Sequence, residues 1–111
     1  MVGQMADTRD VLPPDAVITS VGAHLEMMGD PTRLKILYAL EERERSVQEL
    51  ARLLDMSMPA VSHHLRLLRG RELLDRRKEG SRVYYRLVDA CIRDVLGIAR
   101  DHVEEHHRPH E

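Results

Sequence analysis

A single cysteine, Cys91, stands in a chain of 111 residues. That excludes an internal disulfide framework and every zinc or iron–sulfur motif built from several cysteines. Tryptophan and phenylalanine are absent, and three tyrosines bring aromatics to only 3%. Leu, Val, Ile, Met and Ala must then supply the core, which favours helix packing over a β-sandwich. No apolar run approaches the ~18 residues of a membrane span. Residues Met1 to Asp10 show neither the positive n-region nor the apolar h-region of a secretory signal, so a reducing cytoplasm is the expected location, with no membrane partner. An activated nucleophile, a glycine-rich phosphate loop and paired carboxylates in a cleft are all missing, so no enzyme is expected. The length allows one domain: an arm over 1–12, a domain over 13–107 and a tail over 108–111. A core this small is marginal, and dimerisation would add buried area.

What is present is charge, unevenly placed. The net charge is −2. Residues 1–62 hold 10 acids and 6 bases, and residues 87–111 hold 6 acids and 3 bases. Between them, residues 63–86 hold 8 bases, all but one arginine, against 3 acids. A run of like charges is often only a solvated face. Here it coincides with elements suited to binding phosphates.

Pro13-Pro14-Asp15 opens a helix over about 15–28, with Val17, Val21, His24, Leu25 and Met28 on one stripe. Asp30-Pro31 caps a second helix that runs to about Arg43. Ser46-Val47-Gln48-Glu49 reads as a capping box for a short third helix carrying Leu50, Leu53 and Leu54. Asp55-Met56 turns, and Ser57 caps a helix that ends near Gly70. Two strands about the turn Glu79-Gly80-Ser81 form a hairpin, with Val83, Tyr85 and Leu87 on one face and Arg82, Tyr84 and Arg86 on the other. The last helix begins near Asp89 and runs to about His107. Its apolar stripe is Ile92, Val95, Leu96, Ala99 and Val103, expected to be a dimer seam.

Two short helices joined by a tight turn, followed by a basic hairpin, predict a winged helix-turn-helix, mainly α with a small β-hairpin. A helix of about three turns fits the major groove, and its N-terminal residues reach base edges. Those residues are Ser57, Met58, Pro59, Ser62 and His63. His64, flanked by leucines, reads as structural. Arg66 and Arg69 suit phosphates, and the hairpin cations Arg76, Arg77, Lys78 and Arg82 suit the backbone or the adjacent minor groove.

The chain resembles the ArsR/SmtB metalloregulatory repressors. The resemblance rests on Met28-Gly29-Asp30-Pro31-Thr32-Arg33-Leu34-Lys35-Ile36-Leu37, on Ser46-Val47-Gln48-Glu49-Leu50-Ala51, on Pro59-Ala60-Val61-Ser62-His63-His64-Leu65-Arg66-Leu67-Leu68 and on the wing Gly80-Ser81-Arg82-Val83-Tyr84-Tyr85. It implies a homodimer joined through its first and last helices, repressing a double-stranded operator of imperfect palindromic sequence. The family's Cys-x-Cys site on the first helix of the helix-turn-helix has no counterpart in Val47 to Leu54. Its two-thiol redox sensors are excluded by the lone Cys91. The resemblance leaves the last-helix site: Asp89 and Cys91 at the start, with Cys91 where the family has His, and His102 and Glu105 near the end, with His106 an alternative to Glu105. Thirteen residues separate Asp89 from His102, ~20 Å of helix, so the site needs two antiparallel helices from two chains. A mixed N/O/S set of four suits Zn²⁺ first, with Cd²⁺, Co²⁺ or Ni²⁺ as alternatives. His107 and His110 are further donors. The literal H-x-x-E-H match at residues 102–106 is set aside as a peptidase motif, because a third ligand should follow downstream. A same-fold regulator with a non-metal signal and a small zinc-buffering or interaction protein are the alternative readings.

Overall fold

The computed structural model describes residues 11–106. Most of the expected arm, the tail 108–111, His107 and His110 lie outside them. The elements are α1 (Asp15–Met28), α2 (Pro31–Glu42), β1 (Arg45–Ser46), α3 (Val47–Leu54), α4 (Met58–Gly70), β2 (Leu74–Glu79), β3 (Arg82–Leu87) and α5 (Ala90–His106).

The helix starts follow from local chemistry. Asp30 accepts a hydrogen bond from Arg33 N at 3.1 Å, and Pro31 at the first helical position forfeits only an N–H that would have had no helical partner. At α3 the capping box is reciprocal: Glu49 N donates to Ser46 Oγ at 3.1 Å and Ser46 N donates to Glu49 Oε1 at 2.8 Å. Ser57 Oγ accepts from Ala60 N at 3.2 Å and opens α4. The turn between α3 and α4 is made by Asp55 in the left-handed region, φ 56°. Asp is one of the few side chains that tolerate it.

The sheet differs from the expected two-stranded hairpin. β1 adds a third strand, giving the order β1-β3-β2, all antiparallel. Two residues are too few to show a period, so the sequence pattern does not reveal β1. Its register sets Ser46 opposite Tyr84, so the strand that opens the helix-turn-helix is hydrogen-bonded to the wing. Gly80, φ 63°, makes the wing turn, a conformation that favours glycine.

The core is aliphatic. Ile36, Leu37 and Leu40 of α2, Leu50 of α3, Val61, Leu65 and Leu68 of α4, and Leu73 are fully buried. Leu96 of α5 joins them at 1% exposure, and its carbonyl accepts from Tyr38 Oη at 2.8 Å. Arg100 pairs with Glu41 at 2.6 Å. Both contacts fasten α5 to α2. The α5 stripe therefore divides: Leu96 belongs to the protomer's own core, while Val95 at 41% and Val103 at 52% remain exposed. The expectation that Leu96 sits in the dimer seam is corrected on that ground. A 3.6-residue period cannot say which neighbour each part of a wide stripe meets.

The described chain is extended. Its radius of gyration is 17.9 Å, against ~13 Å for a compact domain of about 100 residues. α1 leaves Val17, Ile18, Val21 and Leu25 about half exposed. An open, mostly apolar groove of about 520 Å³ runs between Val17, Val21, Leu25 and Met28 of α1 and Ile92 and Val95 of α5.

Candidate nucleic-acid interface and metal donors

α4 buries Val61, Leu65 and Leu68 and turns its other side outward. Ser57, Met58, Pro59, His63, Arg66 and Arg69 are exposed, and Ser62 is half buried. Of the expected base readers, Ser57 spends its oxygen on the cap. His63 faces solvent. His64 is half buried, its Nδ1 enclosed with no hydrogen-bond partner among the described residues.

The wing sorts its cations onto two faces, because side chains alternate along a strand. Arg76 and Lys78 share the side of Leu74, which is buried. Asp75, Arg77 and Glu79 share the other, with Arg82, Tyr84 and Arg86 opposite on β3. Their electrostatic states differ. Arg86 pairs with Asp75 at 3.1 Å. The Asp75 carboxyl is held below its ordinary pKa by this bond and by Arg76 N. Arg77 is bonded to Glu79 at 2.8 Å and Glu44 at 3.0 Å, and its guanidinium lies 4.8 Å from the Tyr84 ring centre. The Glu79 and Glu44 bonds hold it still further above the ordinary guanidinium pKa. Arg66, Arg69, Arg76, Lys78 and Arg82 make no ion pair among the described residues. Sequence reasoning missed Glu44. The signal was present in Glu42-Arg43-Glu44-Arg45, an alternation of charge at period two leading into β1.

At the start of α5, Asp89 Oδ1 accepts from Ile92 N at 3.1 Å, so Asp89 caps the helix and keeps a second oxygen. Cys91 is exposed. Near the other end His102 and His106 stack with ring centres 4.3 Å apart, and His106 Nδ1 is 2.9 Å from the His102 carbonyl. That bond leaves Nε2 of His106 as the available donor. Glu105 is exposed one position away. At ~100° per residue, Cys91, Val95, Ile98, His102 and His106 fall within about 80° of helix surface. The structure thus brings His102 and His106 together and leaves Asp89 and Cys91 at the far end. The described residues of one chain gather no cluster of three metal-ligating side chains. The donor types suit a borderline transition metal.

Comparison with known proteins agrees with this architecture. Residues 30–76 match the family described as "Bacterial regulatory protein, arsR family". The transcriptional regulator KmtR of Mycobacterium tuberculosis is 38% identical over 87 residues, 78% of this chain and 66% of that protein. The match thus spans just under two thirds of that relative's length. The cadmium resistance transcriptional regulatory protein CadC of Listeria innocua is 33% identical over 87 residues, covering 78% of this chain and 73% of the relative. A homodimeric winged helix-turn-helix DNA-binding domain from Mycobacterium bovis superimposes with a TM-score of 0.79, at 27% identity, over 86% of this chain and 89% of that one. These proteins are transcriptional regulators rather than enzymes, and among the described residues no helix is long and apolar enough to cross a membrane. With its helix-turn-helix, its wing and these relatives, the chain belongs to the ArsR/SmtB family of bacterial regulatory proteins.

Proposed function

We propose that the chain is a homodimeric repressor that binds double-stranded operator DNA of imperfect palindromic sequence and releases it when a transition-metal ion, zinc first, joins the two last helices. One observation carries this reading. The outer face of α5 holds both unburied apolar residues, Val95 and Ile98, and the donors Cys91, His102 and His106. Packing that face against an antiparallel copy buries the apolar side chains and sets Asp89 and Cys91 of one chain beside His102 and Glu105 or His106 of the other. The same set admits Cd²⁺, Co²⁺ or Ni²⁺. When bound, the ion supplies a fixed link between the protomers. The relative named for cadmium resistance supports a metal signal.

On the DNA side, α4 offers Met58, Pro59, Ser62 and His63 to base edges, with Ser57 at its cap. Arg66 and Arg69, and on the wing Arg76, Lys78 and Arg82, offer positive charge to phosphates. These roles are separable by salt. Replacing Lys78 or Arg82 with Gln lowers affinity for operator and unrelated DNA alike and flattens the dependence of log K on log salt by about one per lost phosphate contact. Replacing His63 with Ala leaves the slope unchanged and narrows the gap between operator and unrelated DNA. Fluorescence anisotropy titrations across a salt series read both. A wing substitution that changed sequence preference with an unaltered slope would contradict the assignment.

A further inference from the structure

Arg77 sits in the basic wing and is exposed, yet two of its donor nitrogens are already engaged by carboxylates. From β2 its guanidinium lies over the ring of Tyr84 on the central strand β3, 4.8 Å from the ring centre. Beyond that strand it reaches Glu44, just before β1, with Nε donating at 3.0 Å to Oε1 and 3.3 Å to Oε2. Its Nη1 donates to Glu79 at 2.8 Å. One side chain therefore reaches from β2 across β3 to the residue just before β1. Glu44 directly precedes Arg45 and Ser46, and Ser46 holds the capping box that starts the helix-turn-helix. Arg43, on the other side of Glu44, pairs with Glu49 of that box at 3.3 Å.

We propose that Arg77 is a positioning residue, a strut that together with Glu44 and Tyr84 fixes the angle of the wing relative to the helix-turn-helix, and that it is not itself a phosphate contact. The chemistry favours this division. A planar guanidinium can lie on an aromatic face while its edge donates to two carboxylates, an arrangement a lysine ammonium does not reproduce. To meet a phosphate through Nε or Nη1, the cation would have to give up a carboxylate bond it already makes. Lys78 and Arg82 need make no such exchange, since neither is ion-paired among the described residues.

The inference rests on the DNA-binding reading, and two kinds of measurement keep the two apart. Without DNA, amide hydrogen exchange of β2 and β3 is followed in wild type, Glu44→Gln and Arg77→Lys. With DNA, operator affinity is followed across a salt series. A strut predicts faster wing exchange in both variants. It also predicts affinity about three- to fivefold weaker in both, the fold-change equivalent of a well-placed exposed ion pair, at an unchanged salt slope. A phosphate contact masked by Glu44 predicts the reverse sign for Glu44→Gln: tighter binding and a slope steeper by about one. It predicts near-normal binding for Arg77→Lys. Either of those results overturns the proposal, as does wing exchange identical to wild type in both variants. If the wild type bound no DNA, the repressor reading would fail, and the exchange measurement would still decide whether Arg77 braces the wing.

Discussion

A chain carrying Val21→Glu and Ile98→Glu should remain folded, become monomeric and lose most of its operator affinity. Both side chains are exposed in the protomer, Val21 at 50% and Ile98 at 70%. A carboxylate at either place leaves the aliphatic core around Leu37, Leu65 and Leu68 untouched. In the dimer the same carboxylates would be buried in an apolar seam without partners, at a cost of several kcal/mol each. Sedimentation velocity should show the monomer mass at concentrations where wild type is dimeric, with helical circular dichroism retained. Operator affinity should fall by about two orders of magnitude or more, because two linked half-site contacts become two independent ones. Leu96→Glu is the contrasting case. Leu96 is 1% exposed, so the charge enters the protomer's own core and the chain loses its fold. A double variant that stayed dimeric would move the interface away from the α1 and α5 face.

These two substitutions mark where the sequence is legible. Asp30, Ser46 and Ser57 are readable as caps because capping is local: a side chain meets an amide three residues away, and all three bonds are present. The buried side of α4 follows from the spacing of Val61, Leu65 and Leu68 for the same reason. The outward face of α4 and the alternation on β3 follow with it. What escapes the sequence is pairing over distance. β1 is two residues long and defined only by its partner 40 positions on, Tyr85 opposite Arg45. Glu44 and Arg77 are 33 residues apart, and no local pattern couples them. The α5 stripe is visible as a stripe. Only packing against Tyr38 and Glu41 reveals that Leu96 turns inward while Val95 and Ile98 turn out. The donors Asp89, Cys91, His102, Glu105 and His106 come from the family resemblance, and the convergence proposed for them would need two chains. One protomer therefore shows them apart.

The second large effect is the response to metal. Co²⁺ added to the dimer should bind at one ion per protomer and give a thiolate charge-transfer band, because Cys91 is exposed on the face shared with His102 and His106. The band should disappear in Cys91→Ser, while His102→Ala should weaken binding at least tenfold through loss of a nitrogen donor. A wild-type complex without the band would remove Cys91 from the donor set and shift weight to the histidines. The proposed donors lie at opposite ends of α5, so an ion held by two chains would constrain the angle between protomers. That angle sets the separation of the two α4 helices, which must be about one DNA turn, ~34 Å, to enter successive major grooves. By reciprocity, operator DNA should weaken metal binding by the same factor that metal weakens DNA binding.

The most direct measurement is a pair of operator titrations at one salt concentration, with metal-free protein and with the Zn²⁺-loaded dimer. Zn²⁺ should weaken operator binding, by about 5- to 150-fold for a coupling of ~1–3 kcal/mol. Equal or tighter binding by the Zn²⁺ form would contradict metal-induced release.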